Sequence, residues 1–285
     1  TIEGPIDRCR YSPIAWLIGG FAFYYVRRIA PELLPESEQN FHRRVYLHVV
    51  GTPPESDVLV FGAGMTMTNY YGVEVSRDGR WLQVSASEGT EPRNDLWISD
   101  LDSCDPAHPS FTQIQGDVDA QTSLSFERDG RIYVSTDLDA PYARLAVASH
   151  QDPFTWTDLI AEEPHAVLDG YALLDGPELE HDVLLVVRTR HGVSEMSLHA
   201  ADDGAFIESV PLPGAGTIGG PVQHLDGGPV CWFVYTDHTT VPHVYTFDAR
   251  TREVALHASP PGAVEVPKVF SRQVEYVSKD GTVVR

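Results

Sequence analysis

Positive charge is scarce in this chain. Its 285 residues include 20 Lys and Arg against 41 Asp and Glu, which gives a formal net charge of −21. Lys268 and Lys279 are the two lysines, so arginine supplies nearly all of the basic charge. Nucleic acids and anionic membranes are bound mainly through basic side chains that neutralise phosphate. The charge balance therefore argues against both as partners.

Cysteines and long apolar runs are also few. Cys9, Cys104 and Cys231 are widely spaced and form no C-x-x-C pair, which excludes a disulfide framework and a zinc or thiol redox motif. Unpaired thiols fit a reducing compartment, and we predict a cytoplasmic location. The longest apolar run, Pro13 to Val26, is broken by Gly19-Gly20 and is too short to cross a bilayer. No signal peptide is visible, so we expect a soluble protein.

The sequence contains an internal repeat with a period of about 50 residues. Arg-Asp-Gly-Arg at 77–80 recurs at 128–131, and Val84-Ser85 recurs as Val134-Ser135. Asp-Gly suits a hairpin turn, because such turns need positive φ. The segment that follows the first turn, 81–86, alternates apolar and polar residues as a strand does. Self-similarity at this period, made of short strands, is typical of propeller blades.

The sequence therefore predicts an all-β fold, a β-propeller of four-stranded antiparallel blades. Ile29–Leu34 comes nearest to a helical pattern, and its prolines limit it to about one turn. Pro260-Pro261-Gly262 ends the repeats, and one strand-like stretch, Gln273–Val277, follows. We predict a propeller over 1–262 and a connector over 263–285. The five predicted blades span residues 7–64, 70–115, 121–160, 166–212 and 217–258.

Four segments occur in a recognisable order: Arg44 to Thr52, Glu88 to Leu96, Asp137 to Leu145 and Tyr276 to Thr282. In sequence and spacing they resemble the prolyl oligopeptidase family of serine peptidases. The resemblance implies a propeller that covers a peptidase active site and restricts substrates to short peptides. The family propeller has seven blades, so we expect its early blades to be absent here. We also expect the α/β-hydrolase peptidase domain, the implied partner, to be absent.

The resemblance also implies where a substrate would be met. One propeller loop of the family approaches the bound peptide, and by motif it corresponds to Ser87, Glu88 and Thr90, with Tyr70 on the preceding strand facing the same cavity. The family's catalytic Ser, Asp and His belong to the absent domain, so no catalytic residue is assigned. Gly192 to Met196 comes nearest to a nucleophile elbow but lacks its closing Gly. We expect this chain to be catalytically silent and to meet short peptides.

Other readings stay open. The 12 histidines contain no H-x-H or H-x-x-x-H pair, and the loop that begins at Asp117 lacks the Gly and Glu of a calcium site, so no metal or other cofactor is predicted. Glu74, Glu127 and Asp169 are candidates for the carboxylate pair of a propeller glycosidase. A free-standing propeller that binds a peptide or protein is the second alternative. Open sheet edges would favour edge-to-edge self-association.

Overall fold

The computed structural model describes residues 4–262 and 272–284. Within these ranges the chain forms 23 β-strands and three short 3-10 helices. The helices are Pro31–Leu33, Glu36–Glu38 and Pro54–Ser56, so the single proline-limited turn predicted near residue 31 is confirmed. In the described part of the chain no helix is long and apolar enough to cross a membrane.

The first two sheets are antiparallel and follow the order of the chain. Strands that are consecutive in the chain are neighbours in each sheet, which is the usual arrangement. Their strands are β1 (Ile14–Trp16), β2 (Ala22–Arg28), β3 (Arg43–Val49), β4 (Val58–Phe61), β5 (Asn69–Val75), β6 (Trp81–Glu88), β7 (Asp95–Asp100) and β8 (Thr112–Gln115).

The third and fourth sheets repeat this four-stranded order. The third contains β9 (Thr122–Phe126), β10 (Arg131–Thr136), β11 (Arg144–Ser149) and β12 (Asp152–Ile160). The fourth contains β13 (Ala166–Leu174), β14 (Val183–Arg190), β15 (Val193–Ala200) and β16 (Phe206–Val210).

The fifth sheet has a divided first strand, because two short segments pair in turn with the same neighbour, β19. The last two strands of the chain form a separate hairpin. These elements are β17 (Thr217–Ile218), β18 (Val222–Gln223), β19 (Val230–Thr236), β20 (His243–Asp248), β21 (Glu253–Ala258), β22 (Tyr276–Val277) and β23 (Val283–Val284).

The chain divides into two compact units. Among the described residues, the first unit comprises 4–138 and 147–157, and the second comprises 139–146, 158–262 and 272–284. The boundary passes through β11 and β12 of the third sheet. Each unit has a hydrophobic core of its own.

The core of the first unit lies between its first two sheets. Tyr24 of β2 and Val45 of β3 pack in one cluster with Leu82 and Val84 of β6. Along β6, buried positions alternate with partly exposed ones from Leu82 to Ser87, as the period-two pattern predicted. Full burial of such a side chain is worth about 1.5–3 kcal/mol, so this alternation holds β6 against the core.

The core of the second unit lies between the fourth and fifth sheets. Leu185 of β14 and Leu198 of β15 pack with Phe233 of β19 and Phe247 of β20. Cys231 is fully buried in the same cluster, and its burial raises the pKa of the thiol to about 12. This cysteine is therefore a core residue rather than a reactive thiol.

The repeated tetrapeptide forms the same turn twice. Asp78 accepts a hydrogen bond from the backbone N–H of Arg80 at 3.1 Å, and Asp129 accepts one from Arg131 at 3.0 Å. The glycine after each aspartate has φ of +78° or +79°. Asp-Gly suits this turn because the carboxylate accepts the closing hydrogen bond and glycine adopts the left-handed conformation without strain.

The C-terminal stretch differs from its prediction as a single strand over Gln273–Val277. Strand β22 begins at Tyr276, and it pairs with β23 as a hairpin. Gly281 at φ +87° and the hydrogen bond from the Thr282 N–H to Asp280 at 3.0 Å make the turn. Residues 263–271 of the predicted connector lie outside the described residues, so the connector stays a prediction.

Candidate functional site

The predicted substrate-facing residues cluster at one end of the β5–β6 pair. Tyr70 on β5 lies directly opposite Ser87 on β6, and the adjacent pair joins Asn69 to Glu88. Thr90 follows in the turn after β6 and is exposed. The strand register thus brings Tyr70, Ser87 and Glu88 together, and their role toward a substrate stays a prediction.

The loop after β6 is held by hydrogen bonds to the residue that precedes β5. The Thr68 hydroxyl donates to the Glu88 carboxylate at 3.0 Å, and the Gly89 N–H donates to the Thr68 carbonyl at 3.3 Å. Gly89 has φ of +60°, which a side chain would disfavour. The Glu91 N–H closes the turn on the Glu88 carbonyl at 3.1 Å. These bonds fix the loop beside Tyr70.

Tyr70 belongs to a cluster of two arginines and two tyrosines. The Arg43 guanidinium lies 3.7 Å from the centroid of the Tyr70 ring, and the Tyr11 ring meets Tyr70 edge-on at 6.0 Å. Arg10 lies over Tyr11 at 5.0 Å and donates to its hydroxyl at 3.3 Å. We call these four residues the Arg–Tyr cluster. Tyr70 keeps 36% of its surface exposed, so its ring is open to a ligand.

Sequence reasoning did not find Arg10, Tyr11 or Arg43. A contact between β3 and the start of β5 depends on how two sheets pack, which no local pattern records. One signal was available, namely two Arg-Arg pairs at 27–28 and 43–44 in a strongly acidic chain. Strands β2 and β3 place these pairs directly opposite each other.

A buried polar network lies within the first sheet. The side chain of Asp57, about 1% exposed, lies 2.7 Å from Nδ1 of His48 and accepts a hydrogen bond from the Tyr25 hydroxyl at 2.5 Å. Arg27 lies 4.0 Å from the same carboxylate and pairs with Asp7 at 2.8 Å. Burial, followed by the hydrogen bond to Asp57, raises the pKa of Tyr25 well above its usual range. The network ties β2 and β3 to the loop at 54–57.

Tyr71 and Arg44 are the chain neighbours of Tyr70 and Arg43, and both carry polar groups. Burial raises the pKa of Tyr71, an effect opposed by the charge of Arg44. Arg44 Nη1 donates to the Arg43 carbonyl at 2.7 Å. The backbone that carries Arg43 is therefore held in place from its own strand.

The near-match to a nucleophile elbow is an ordinary strand segment. Ser194 lies on β15 and is buried, and its hydroxyl accepts the Ile218 N–H at 3.1 Å. The hydroxyl is thus engaged in joining the fourth and fifth sheets. This hydrogen bond fits a structural residue, and that interpretation stays a prediction.

The glycosidase candidates are divided between the units. Glu74 on β5 and Glu127 after β9 belong to the first unit, and Asp169 on β13 belongs to the second. Loss of hydration, followed by repulsion from Glu127, raises the pKa of Glu74. Glu127 in turn accepts a hydrogen bond from Ser125 at 2.8 Å. No group of three or more His, Cys, Asp or Glu suited to a metal ion occurs among the described residues.

Comparison with known proteins decides the family. The family model described as "Prolyl oligopeptidase, N-terminal beta-propeller domain" matches residues 1–260. This chain belongs to that family. It is 28% identical to the prolyl endopeptidase of Elizabethkingia meningoseptica over 284 residues, which covers 96% of this chain but 37% of the relative. The dual function macrocyclase-peptidase POPB of Galerina marginata is 23% identical over 278 residues and is likewise covered to 37%.

Solved structures agree with this family membership. A chain from a structural study of two prolyl endopeptidases superposes with a TM-score of 0.81 at 25% identity, covering 98% of this chain and 39% of that one. Prolyl oligopeptidase B from Galerina marginata, bound to a 35mer hydrolysis and macrocyclization substrate, shares the fold with a TM-score of 0.81 at 20% identity. The predicted all-β propeller of four-stranded antiparallel blades is confirmed. The chain spans well under half the length of these relatives.

Proposed function

We propose that this propeller is the substrate-gating part of a prolyl oligopeptidase-like serine peptidase that acts on short proline-containing peptides. The match of the family model to residues 1–260 carries the proposal. The relatives covered to 37% of their length are named prolyl endopeptidases, which supports proline-specific peptidase chemistry for the protein to which this propeller belongs.

The propeller would act by exclusion and contact rather than by chemistry. The Ser, Asp and His of acyl transfer would come from an α/β-hydrolase domain outside these residues. The Tyr70 ring and the loop with Ser87, Glu88 and Thr90 would form the surface that an admitted peptide meets. Support comes from the register that groups Tyr70 with Ser87 and from the hydrogen bonds that hold the loop against Thr68.

Hydrolysis of a fluorogenic Gly-Pro amide tests this function. We expect turnover by the complete natural polypeptide that contains these 285 residues, and loss of turnover after treatment with a serine-directed phosphonate. The isolated 285-residue chain should show no turnover with or without the phosphonate. Phosphonate-sensitive turnover by the isolated chain would overturn the proposal, because it would require a nucleophile among these residues.

A second arm tests gating. The same Gly-Pro sequence is presented in a short peptide and in a surface loop of a stable folded protein. We expect cleavage of the short peptide and protection of the folded substrate. Equal cleavage rates would contradict steric exclusion. Binding of short peptides by the complete polypeptide without any turnover would favour the free-standing binding propeller instead.

A further inference from the structure

Among the described residues, Arg43 is a buried cation without a charged or hydrogen-bonding side-chain partner. It begins β3 and is only 5% exposed. Its Nε and Nη1 are enclosed and have no hydrogen-bond partner among the described residues. Within the same residues no Asp or Glu lies within 4.0 Å of its nitrogens. Arginine is rarely buried unless it is paired, because a desolvated charge is costly.

The neighbours of Arg43 add positive charge. Arg28 lies directly opposite on β2, and Arg44 follows on β3. Arg28 donates to the neutral oxygens of Asn40 at 2.8 Å and Gln39 at 3.3 Å. In the described part of the chain neither Arg28 nor Arg44 has a carboxylate within 4.0 Å. Among the described residues, a chain with net charge −21 thus leaves three neighbouring arginines without a carboxylate within 4.0 Å here.

Arg27 shows that such compensation is available nearby. It is buried to a similar degree, at 8% exposed, and it pairs with Asp7 and Asp57. Among the described residues, the same sheet therefore neutralises one buried arginine with two carboxylates and leaves two others, Arg43 and Arg44, with none. The contrast points to a partner of Arg43 that comes from outside these residues.

The guanidinium of Arg43 lies beside Tyr70, where a ligand could reach it. Stacking on the Tyr70 ring at 3.7 Å stabilises the guanidinium by a cation–π interaction but satisfies none of its N–H groups. Nη2 is not among the enclosed nitrogens. Tyr70 is itself 36% exposed and lies opposite Ser87 of the predicted peptide-facing loop. A ligand that meets this loop would therefore pass close to Arg43.

We infer that Arg43 and Tyr70 form a recognition site for a carboxylate of a peptide substrate. The inference rests on the proposed function, which supplies the peptide, and it adds an anionic preference to that function. A carboxylate matches a guanidinium in charge and geometry, and it is the anionic group that unmodified peptides carry. It can come from an acidic side chain or from the C-terminus, and Tyr70 would offer an apolar face to the chain beside it.

Peptide binding to the complete polypeptide tests the inference. Replacing the nucleophilic serine of the peptidase domain by alanine prevents turnover and leaves the binding site open, and fluorescence anisotropy then measures Kd for labelled proline peptides. One pair differs as Glu against Gln, and a second pair differs as a free C-terminus against an amide. We expect the carboxylate form of one pair to bind about tenfold more tightly, since a hydrogen bond to a charged group is worth that much. The pair that responds identifies the source of the carboxylate.

Substitutions at Arg43 test whether this residue causes the preference for the carboxylate form of the peptide. Arg43→Gln should abolish the difference within the responding pair, and Arg43→Lys should retain part of it. Arg250→Gln removes the same charge from an exposed arginine that pairs with Asp248 and Glu178, and it should leave the preference unchanged. Thermal unfolding checks that the variants are folded. The peptide pairs measured on the unaltered protein keep the inference testable if Arg43→Gln does not fold.

The outcomes separate the two proposals. If peptides bind but neither pair shows a difference, the carboxylate site is wrong and the peptide function stands. If a preference exists and a folded Arg43→Gln variant retains it, Arg43 is not the recognition residue. If no proline peptide binds and the complete polypeptide hydrolyses none, the proposed function and the carboxylate site both fail.

Discussion

Glu74 is a residue whose ionisation opposes folding. Its pKa is raised in the folded state, chiefly by loss of hydration and further by the charge of Glu127. An acid with a raised folded-state pKa binds its proton more tightly when folded than when unfolded. The stability that it contributes is therefore full at low pH and is lost as the pH rises above the ordinary value of 4.5.

We predict that Glu74→Gln modestly stabilises the protein near pH 7, because the folded state disfavours the charged form of this carboxyl. The gain should shrink toward zero below about pH 4, where the native carboxyl is already protonated. Urea unfolding across this pH range measures the effect. Glu36→Gln, at an exposed position, is the matched control and should change little at any pH. A gain from Glu74→Gln that is independent of pH would rule out ionisation as its cause.

At the residue scale, the sequence predicts features that depend on local patterns and misses contacts that depend on how sheets pack. Leu82 and Val84 were placed on one buried face because strand periodicity is local, and both are fully buried. Tyr70 and Ser87 were grouped through a family resemblance, and their strand register supports the grouping. The stacking of Arg43 on Tyr70 was missed, since it joins two sheets through residues 27 positions apart in the chain.

At the scale of an element, two turn glycines allow the cost of an unfavourable φ to be compared with the cost of a steric clash. Gly192, between β14 and β15, and Gly204, between β15 and β16, have φ of +79° and +74°. A Cβ at Gly192 would meet nothing within 4 Å. A Cβ at Gly204 would lie 1.8 Å from the carbonyl oxygen of Leu159, a backbone atom that cannot rotate away.

We therefore predict that Gly192→Ala costs about 1 kcal/mol of unfolding free energy, the price of a left-handed alanine. Gly204→Ala should cost about 3 kcal/mol or more, because β12 must shift as well. Urea unfolding of both variants, monitored by tryptophan fluorescence, makes the comparison. Losses of equal size would mean that the contact with Leu159 relaxes without cost and that φ alone decides.

Strand boundaries, too, are predictable where a local turn sets them and not elsewhere. The strand that follows the first Asp-Gly turn is located within two residues, because the alternating pattern covers 81–86 and β6 spans Trp81–Glu88. The divided first strand of the fifth sheet was not predicted. Its two parts, β17 and β18, are separated by Gly219, Gly220 and Pro221, and a proline lacks the N–H that a continuous ladder would need.

At the scale of the whole chain, exposed apolar surface favours self-association and the net charge opposes it. Ile14, Trp16, Ile18 and Phe21 lie on or beside β1 and keep 52–60% of their surface exposed. Adjacent exposed apolar side chains mark an association surface. The net charge of −21 repels a second copy of the same chain. The balance between the two should therefore depend on ionic strength.

We predict that the 285-residue chain self-associates through this surface, and more strongly at 0.5 M than at 0.05 M NaCl, because salt screens the repulsion and leaves apolar burial intact. Sedimentation velocity at several protein concentrations measures the association. Trp16→Glu should shift the equilibrium toward monomer at both salt concentrations. Leu225→Glu places the same charge at a residue that is 85% exposed and lies outside this surface, so it is the matched control. Association that weakens with salt, or that Trp16→Glu leaves unchanged, would place the contact elsewhere, with the strand edges as the next candidates.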